Sequence, residues 1–155
     1  MKRVVFVCTG NTCRSSMAEA LFKKILKERG RERDIMVESC GIAAVEGMPA
    51  SPNAVKVMKE EGIDISSHRA RLLSEEILKA DLILTMTKNH KDYILNKFPE
   101  TKGRVFVLEE FASGQRGDEN VDISDPYGGD EQTYRRVADE IKEKLKNVLA
   151  RLEKS

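Results

Sequence analysis

The 155-residue sequence has no run of eighteen apolar residues, no internal repeat, no low-complexity stretch and no linker-like segment. The first absence leaves no candidate for a membrane-spanning helix. The others leave no boundary at which a second domain would begin. Net charge is almost absent too: 27 Lys and Arg against 26 Asp and Glu give +1. No global field therefore draws the chain to nucleic acid or to an anionic membrane. Cysteine is scarce, with three residues at spacings unlike a zinc ligand set. An odd number excludes a simple disulfide framework, so each thiol needs its own explanation. No cluster of metal-ligating side chains is evident. Met1-Lys2-Arg3 leads directly into Val4-Val5-Phe6-Val7, too short an apolar stretch for a secretory leader, and the expected location is the cytoplasm.

What is present describes a globular chain, 40% hydrophobic and 34% charged, with one domain expected over 1–155. Short apolar runs at Val4–Cys8, Ile35–Cys40, Leu82–Met86 and Val105–Leu108 fit buried parallel strands. Ala18, Leu21, Phe22, Ile25 and Leu26 recur at helical spacing, as do Tyr134, Val137, Ala138, Ile141, Leu145, Val148, Leu149 and Leu152. Ser51-Pro52 reads as a helix start leading to Gly62. Further helices are expected over about Ser74–Lys79 and Lys88–Phe98, the latter stopped by Pro99. The order β-α-β-α-α-β-α-β-α predicts an α/β fold: a doubly wound, four-stranded parallel sheet with helices on both faces. Such sheets bind ligands beyond the carboxyl ends of their strands. Ala112–Ser124 is polar and long enough to be a functional loop.

The first strand ends in Cys8-Thr9-Gly10-Asn11-Thr12-Cys13-Arg14-Ser15, and a helix follows at once, with Ser16 and Glu19 spaced as a capping box. A tight loop at a helix N-terminus aims several backbone N–H groups at one point, where the macrodipole adds about half a positive charge. That suits an oxyanion. Gly10 and Asn11 tolerate the positive φ needed to curl the amides inward. Arg14 can grip two phosphate oxygens with its planar guanidinium. A thiol in that setting is expected to ionise readily, which makes Cys8 a nucleophile. The Ser15 hydroxyl can donate to the sulfur and assist its departure.

These residues, with Met17-Ala18-Glu19 behind them, resemble the low-molecular-weight protein tyrosine phosphatases and their bacterial protein arginine phosphatase branch. The resemblance continues through Ser39-Cys40-Gly41, Ser66-Ser67-His68-Arg69-Ala70-Arg71, Ala80-Asp81-Leu82-Ile83-Leu84 and Asp125-Pro126-Tyr127. It thus covers essentially the whole chain. Ser16 stands where the family usually has proline. The resemblance implies catalysis by Cys8, Arg14 and Asp125, with no cofactor. Asp125 would be the acid for the departing atom and then the base for water; Asp118, Asp122 and Asp130 are nearby alternatives. Thr9, Gly10, Asn11, Thr12, Cys13 and Ser15 would line the phosphoryl site, with Tyr127 at its mouth. His68 resembles the family histidine that bonds the loop asparagine, here Asn11.

Tyrosine-specific members generally carry a bulky aliphatic residue at the position of Thr12 and an aromatic one at that of Gly128. Both are small here, which favours phosphoarginine in proteins over phosphotyrosine as substrate; alternatively, Thr12 merely packs. Cys13 either resolves an oxidised Cys8 as a disulfide or is a small buried residue. Cys40 reads as buried and inert. His90, in a polar helical run, reads as a solvated surface residue. Lys142, Lys144, Lys146 and Arg151 read as the polar side of the last helix. Two other classes compete. A thioredoxin-coupled arsenate reductase needs further thiols downstream, and no cysteine follows Cys40. A phosphoryl-binding module would have no use for Cys8, Ser15 and Asp125 together. The expected partners are phosphorylated proteins, met by a monomer.

Overall fold

The four apolar runs form strands β1 (Lys2–Cys8), β2 (Ile35–Gly41), β3 (Leu82–Thr85) and β4 (Val105–Val107) of a computed structural model that describes residues 2–114 and 122–154. All pair in parallel in the order β2-β1-β3-β4. β1 is therefore flanked on both sides, with Cys8 opposite Gly41 and Val7 opposite Thr85. The chain leaves β1 toward β2 and returns past it to β3. The reversal opens a crevice beyond the carboxyl end of β1, where Cys8 lies.

Alternation along β1 sends its side chains to two different cores. Val4, Phe6 and Cys8 pack on the face covered by α1 (Arg14–Glu28), α2 (Pro52–Glu60), α4 (Leu108–Ser113) and α5 (Glu131–Lys154). Val5 and Val7 face the other way, against Ile83, Val105 and Ile94 of α3 (Lys88–Lys97). On the larger face the Phe6 and Phe22 rings meet edge to face, 5.7 Å apart. Burial of each such ring stabilises the fold by roughly 1.5–3 kcal/mol. α5 presents Tyr134, Val137, Ala138, Ile141, Leu145, Val148 and Leu149 to this core. Its polar side is tied down by the pairs Lys142–Glu61 and Lys144–Glu109. Among the described residues no helix is long and apolar enough to cross a membrane.

Several local expectations are corrected. α1 begins at Arg14, with Cys13 as N-cap and no side-chain acceptor. Ser16 already lies inside the helix, where its hydroxyl donates back to the Cys13 carbonyl, while Glu19 is drawn to Ser39 and Lys23. The Ser16–Glu19 capping box therefore does not form. Ser51 does occupy the N-cap position of α2, with Pro52 next, but makes no side-chain cap bond. The helix expected over Ser74–Lys79 is a single 3-10 turn at Ile77–Lys79. β3 stops one residue early, and Leu108 opens α4 instead of ending β4. Much of the polar loop expected over Ala112–Ser124, including the alternative acid Asp118, lies outside the described residues.

Candidate active site

Cys8 is the last residue of β1, and its sulfur is nearly buried, with the residue 3% exposed. The loop that follows turns back on it. Asn11 has a left-handed backbone, φ 58°, so its N–H donates to the Cys8 sulfur at 3.3 Å. Gly10, expected to share that conformation, does not adopt it. The close approach is instead made possible from the neighbouring strand. At Gly41 a Cβ would lie 2.4 Å from the Thr9 carbonyl oxygen and 2.9 Å from the Asn11 nitrogen. Glycine there lets β2 run directly beneath the loop.

The Asn11 side chain fixes the direction of a chain of hydrogen bonds. The Arg71 N–H donates to its Oδ1 at 2.9 Å, so the other side-chain atom is the Nδ2 amino group. Nδ2 donates to Ser15 Oγ at 2.7 Å and to Ser39 Oγ at 2.9 Å. Each serine must then send its single proton onward. Ser39 donates to Glu19, and Ser15 has two acceptors, the Cys40 carbonyl at 3.4 Å and the nearer Cys8 sulfur at 2.8 Å, which takes the proton once it is a thiolate. The sulfur thus faces two protons, one from a main-chain amide and one from a hydroxyl, as a departing thiolate requires. His68 braces the loop from behind, its Nε2 donating to the Asn11 carbonyl at 2.7 Å.

Arg14, in the first turn of α1, is only 4% exposed. Its Nη1 donates to the Ile123 carbonyl at 2.9 Å. Its Nη2 lies 3.6 Å from Asp125 Oδ2, and its Nε, also buried, has no protein partner. A buried guanidinium N–H without a partner, as at Nε, is costly unless an anion takes it. The Nε/Nη2 edge is therefore the one available to two phosphoryl oxygens. The first turn of α1 carries no acidic side chain and no cap acceptor, which keeps its amides open to the same anion.

Asp125 projects into solvent, its side chain 51% exposed, and its Oδ1 accepts the Tyr127 N–H at 3.0 Å in a local turn. Of the described alternatives, Asp122 caps Lys88 N–H and Asp130 binds Thr133 at the start of α5. Asp125 is the carboxylate paired with Arg14. At the mouth, Tyr127 is 77% exposed. Gly128 has φ 80° with nothing within 4 Å of the place a Cβ would occupy, so the entrance is open there. Thr12 is half-buried, its hydroxyl 3.6 Å from the Cys13 sulfur.

All three cysteines are free and buried. The Cys13 sulfur contacts Tyr134 OH at 3.3 Å and Ser51 Oγ at 3.4 Å. Burial, followed by the bond to Cys13, pushes the Tyr134 phenol up to about 12. Cys40 is fully buried, and burial pushes its thiol to about 12 as well, which leaves it inert at neutral pH. His90 is not the solvated residue expected. It is 4% exposed, with Nε2 2.9 Å from Thr9 Oγ1. Burial, then the nearby Arg14 charge, lowers its pKa to about 4. Sequence reasoning missed its contact with the loop and gave no role to Ser39, Gly41 and Tyr134. One usable signal existed for His90: it follows a strand by a few residues, at the same end of the sheet as Cys8.

Comparison with known proteins agrees with this geometry. The family model described as low molecular weight phosphotyrosine protein phosphatase matches residues 3–155. A protein-arginine-phosphatase from Geobacillus stearothermophilus is 41% identical over 97% of this chain and 96% of its own length. The solved YwlE arginine phosphatase carrying a phosphorylated active-site serine in place of cysteine superposes with a TM-score of 0.91, at 39% identity, covering 99% of this chain and 97% of that one. A low molecular weight protein tyrosine phosphatase from T. tengcongensis is 44% identical with a TM-score of 0.89, covering 97% of this chain and 99% of that one. The cysteine-and-arginine loop at the switch point of a four-stranded parallel sheet, matched over nearly its full length, places this chain in the low molecular weight protein tyrosine phosphatase family.

Proposed function

We propose that this chain, acting as a single domain, removes phosphate from phosphoarginine in proteins through a cysteinyl-phosphate at Cys8. The Cys8 sulfur attacks phosphorus while the Nε/Nη2 edge of Arg14 and the loop amides hold the equatorial oxygens. As the phosphorus–nitrogen bond breaks, Asp125 gives its proton to the departing guanidinium nitrogen. Water then attacks phosphorus, Asp125 takes a proton from it, and the sulfur leaves with the Ser15 proton directed at it. The charge on phosphorus is met by Arg14 and backbone dipoles, so the scheme requires no metal.

The observation that carries the arginine reading is the mouth of the site. A threonine hydroxyl at position 12 and a missing side chain at Gly128 leave it open and polar, which suits a guanidinium better than a flat phenol between apolar walls. Relatives named protein-arginine-phosphatase, at 41% and 40% identity over nearly their whole lengths, support it. Other relatives are named protein-tyrosine-phosphatases, and phosphotyrosine is the second reading. One kinetic comparison of phosphoarginine and phosphotyrosine peptides decides between them. Thr12→Ile is expected to shift the ratio of kcat/KM toward phosphotyrosine by about tenfold or more, since one pocket side chain discriminates by about 1–3 kcal/mol. A ratio unmoved by the substitution would defeat the pocket argument. Cys8→Ser separates enzyme from binding module: loss of aryl phosphate hydrolysis supports the enzyme, whereas turnover at the parent rate removes Cys8 from the chemistry.

A further inference from the structure

We propose that His90 is a positioning residue of the catalytic loop, acting through the hydroxyl of Thr9. The reading rests on the phosphatase chemistry of Cys8, and not on which phosphorylated residue is the substrate.

His90 lies in the first turn of α3, just beyond the carboxyl end of β3. Its own backbone N–H is taken by the N-cap hydroxyl of Thr87. The ring is buried, with Nε2 2.9 Å from Thr9 Oγ1 and Nδ1 without any protein partner. That pattern selects a tautomer. If the proton sat on Nδ1, a buried N–H would be left without an acceptor; on Nε2 it reaches Thr9, and Nδ1 keeps only an unfilled lone pair. His90 therefore donates to Thr9 Oγ1, and the hydroxyl proton of Thr9 is left to point away from the ring. Thr9 is exposed, so that proton is left for solvent or a bound anion. The ring stays neutral and adds no second charge beside Arg14.

The same junction holds the other half of the site. The Lys88 N–H, two residues before His90, donates to Asp122 Oδ1 at 2.9 Å. The Ile123 N–H donates to the Met86 carbonyl at 2.9 Å, and the Ile123 carbonyl receives Arg14. The junction between β3 and α3 is thus bonded to Thr9, next to the nucleophile, and to residues 122 and 123, three and two positions ahead of Asp125. His68 holds the loop at Asn11 from the opposite flank. Between the two histidines the loop is clamped at both ends of Thr9-Gly10-Asn11. The ring's side-chain hydrogen bond is to Thr9 Oγ1, so His90 acts on the loop through that hydroxyl.

The test uses the full chain with p-nitrophenyl phosphate, so it succeeds or fails independently of arginine specificity. His90→Leu is expected to lower kcat about tenfold, the effect of one lost buried hydrogen bond on a positioned group. KM and inhibition by inorganic phosphate should stay within about threefold. His90→Gln, whose amide can replace the Nε2 donor, is expected to recover most of the loss. Thr9→Val should reproduce the His90→Leu defect, and the double variant should be no slower than either single one. Parent-like kcat in His90→Leu would overturn the proposal. So would additive losses in the double variant, or a failure of glutamine to restore turnover in a chain that melts like the parent. Should His90→Leu not fold, His90→Ala and Thr9→Val/His90→Ala carry the same additivity test.

Discussion

Replacing Gly41 with alanine should disable the enzyme without unfolding it. The residue is not in the left-handed backbone region, so alanine brings no torsional penalty; the whole effect is contact. The new methyl would lie 2.4 Å from the Thr9 carbonyl oxygen, 2.9 Å from the Asn11 nitrogen and 3.0 Å from the Gly10 carbonyl carbon. An ordinary carbon–oxygen contact is about 3.4 Å, so something must open by about 1 Å. β2 is held firmly. Gly41 N–H donates to the Arg71 carbonyl, its own carbonyl accepts Leu73 N–H, and Ile42 N–H is bonded to Cys8. The displacement is expected in the loop, where it also strains the bond from the Ala43 N–H to the Thr9 carbonyl at 2.9 Å. The loop's Asn11 amide donates to the Cys8 sulfur at 3.3 Å, and a shift of about 1 Å takes it beyond useful range. Misplacing a catalytic constellation by about 1 Å costs about a hundredfold in rate. Overpacking of this kind destabilises by roughly 1–3 kcal/mol, or some 2–4 °C in Tm for each kcal/mol in a chain of this size. kcat for an aryl phosphate and a thermal melt, measured on one preparation, test both numbers. A folded Gly41→Ala chain turning over within about threefold of the parent would refute the account of how the loop is shaped.

Asp125→Asn keeps the oxygen that accepts the Tyr127 N–H but cannot donate an acid proton. Its kcat should fall about 10²- to 10⁴-fold with phosphate inhibition preserved, and unchanged turnover would remove Asp125 from the mechanism. Peroxide should convert the Cys8 thiol to a sulfenic acid, which Cys13 condenses to a disulfide with loss of water. In Cys13→Ala, with no thiol to trap it, excess peroxide should carry the sulfenic acid on to a sulfinic acid that dithiothreitol cannot reduce, whereas the parent should be restored; inactivation of the parent that dithiothreitol cannot reverse excludes the disulfide. His90 makes stability depend on pH with a definite sign. Its pKa is about 4 folded against an ordinary value of 6.5, so the unfolded chain binds the extra proton first. The contribution is complete above pH 6.5 and is lost as the pH falls from 6.5 toward 4. Melting curves of the parent should drop more steeply across that window than those of His90→Gln; parallel curves would contradict the buried, neutral ring.

The sheet and the nucleophile loop were legible because their signals are local. Four apolar runs fix four strands by period and length, and Cys8 to Ser15 carries its chemistry within eight consecutive residues. The acid motif at Asp125-Pro126-Tyr127 was legible through resemblance, since its pairing with Arg14 joins residues more than a hundred positions apart. What stayed hidden was of another kind. A capping box is only a spacing, and Glu19 satisfied itself at Ser39 of the strand beneath α1 instead. His90 sits among Lys88, Asn89, Lys91 and Asp92, and that polar company concealed a ring that turns inward. Gly41 looks like any strand-end glycine until the Thr9 carbonyl is placed 2.4 Å from where its methyl would be. Burial of a single polar ring and close approach at one glycine are properties of the assembled sheet and leave no periodic trace in the chain.

The anchor that Arg14 finds at position 123 is a main-chain carbonyl, not a side chain. Tethering of this sort reads the path of the peptide and not the side chain, yet Ile123 is itself 1% exposed in the main core, and that burial is what holds the path. An apolar residue of similar volume should leave the guanidinium in place, a polar or much smaller one should not, and an insertion or deletion of one residue between 123 and 125 would uncouple the arginine from its acid. Anyone transplanting this segment between phosphatases should preserve its length before its letters.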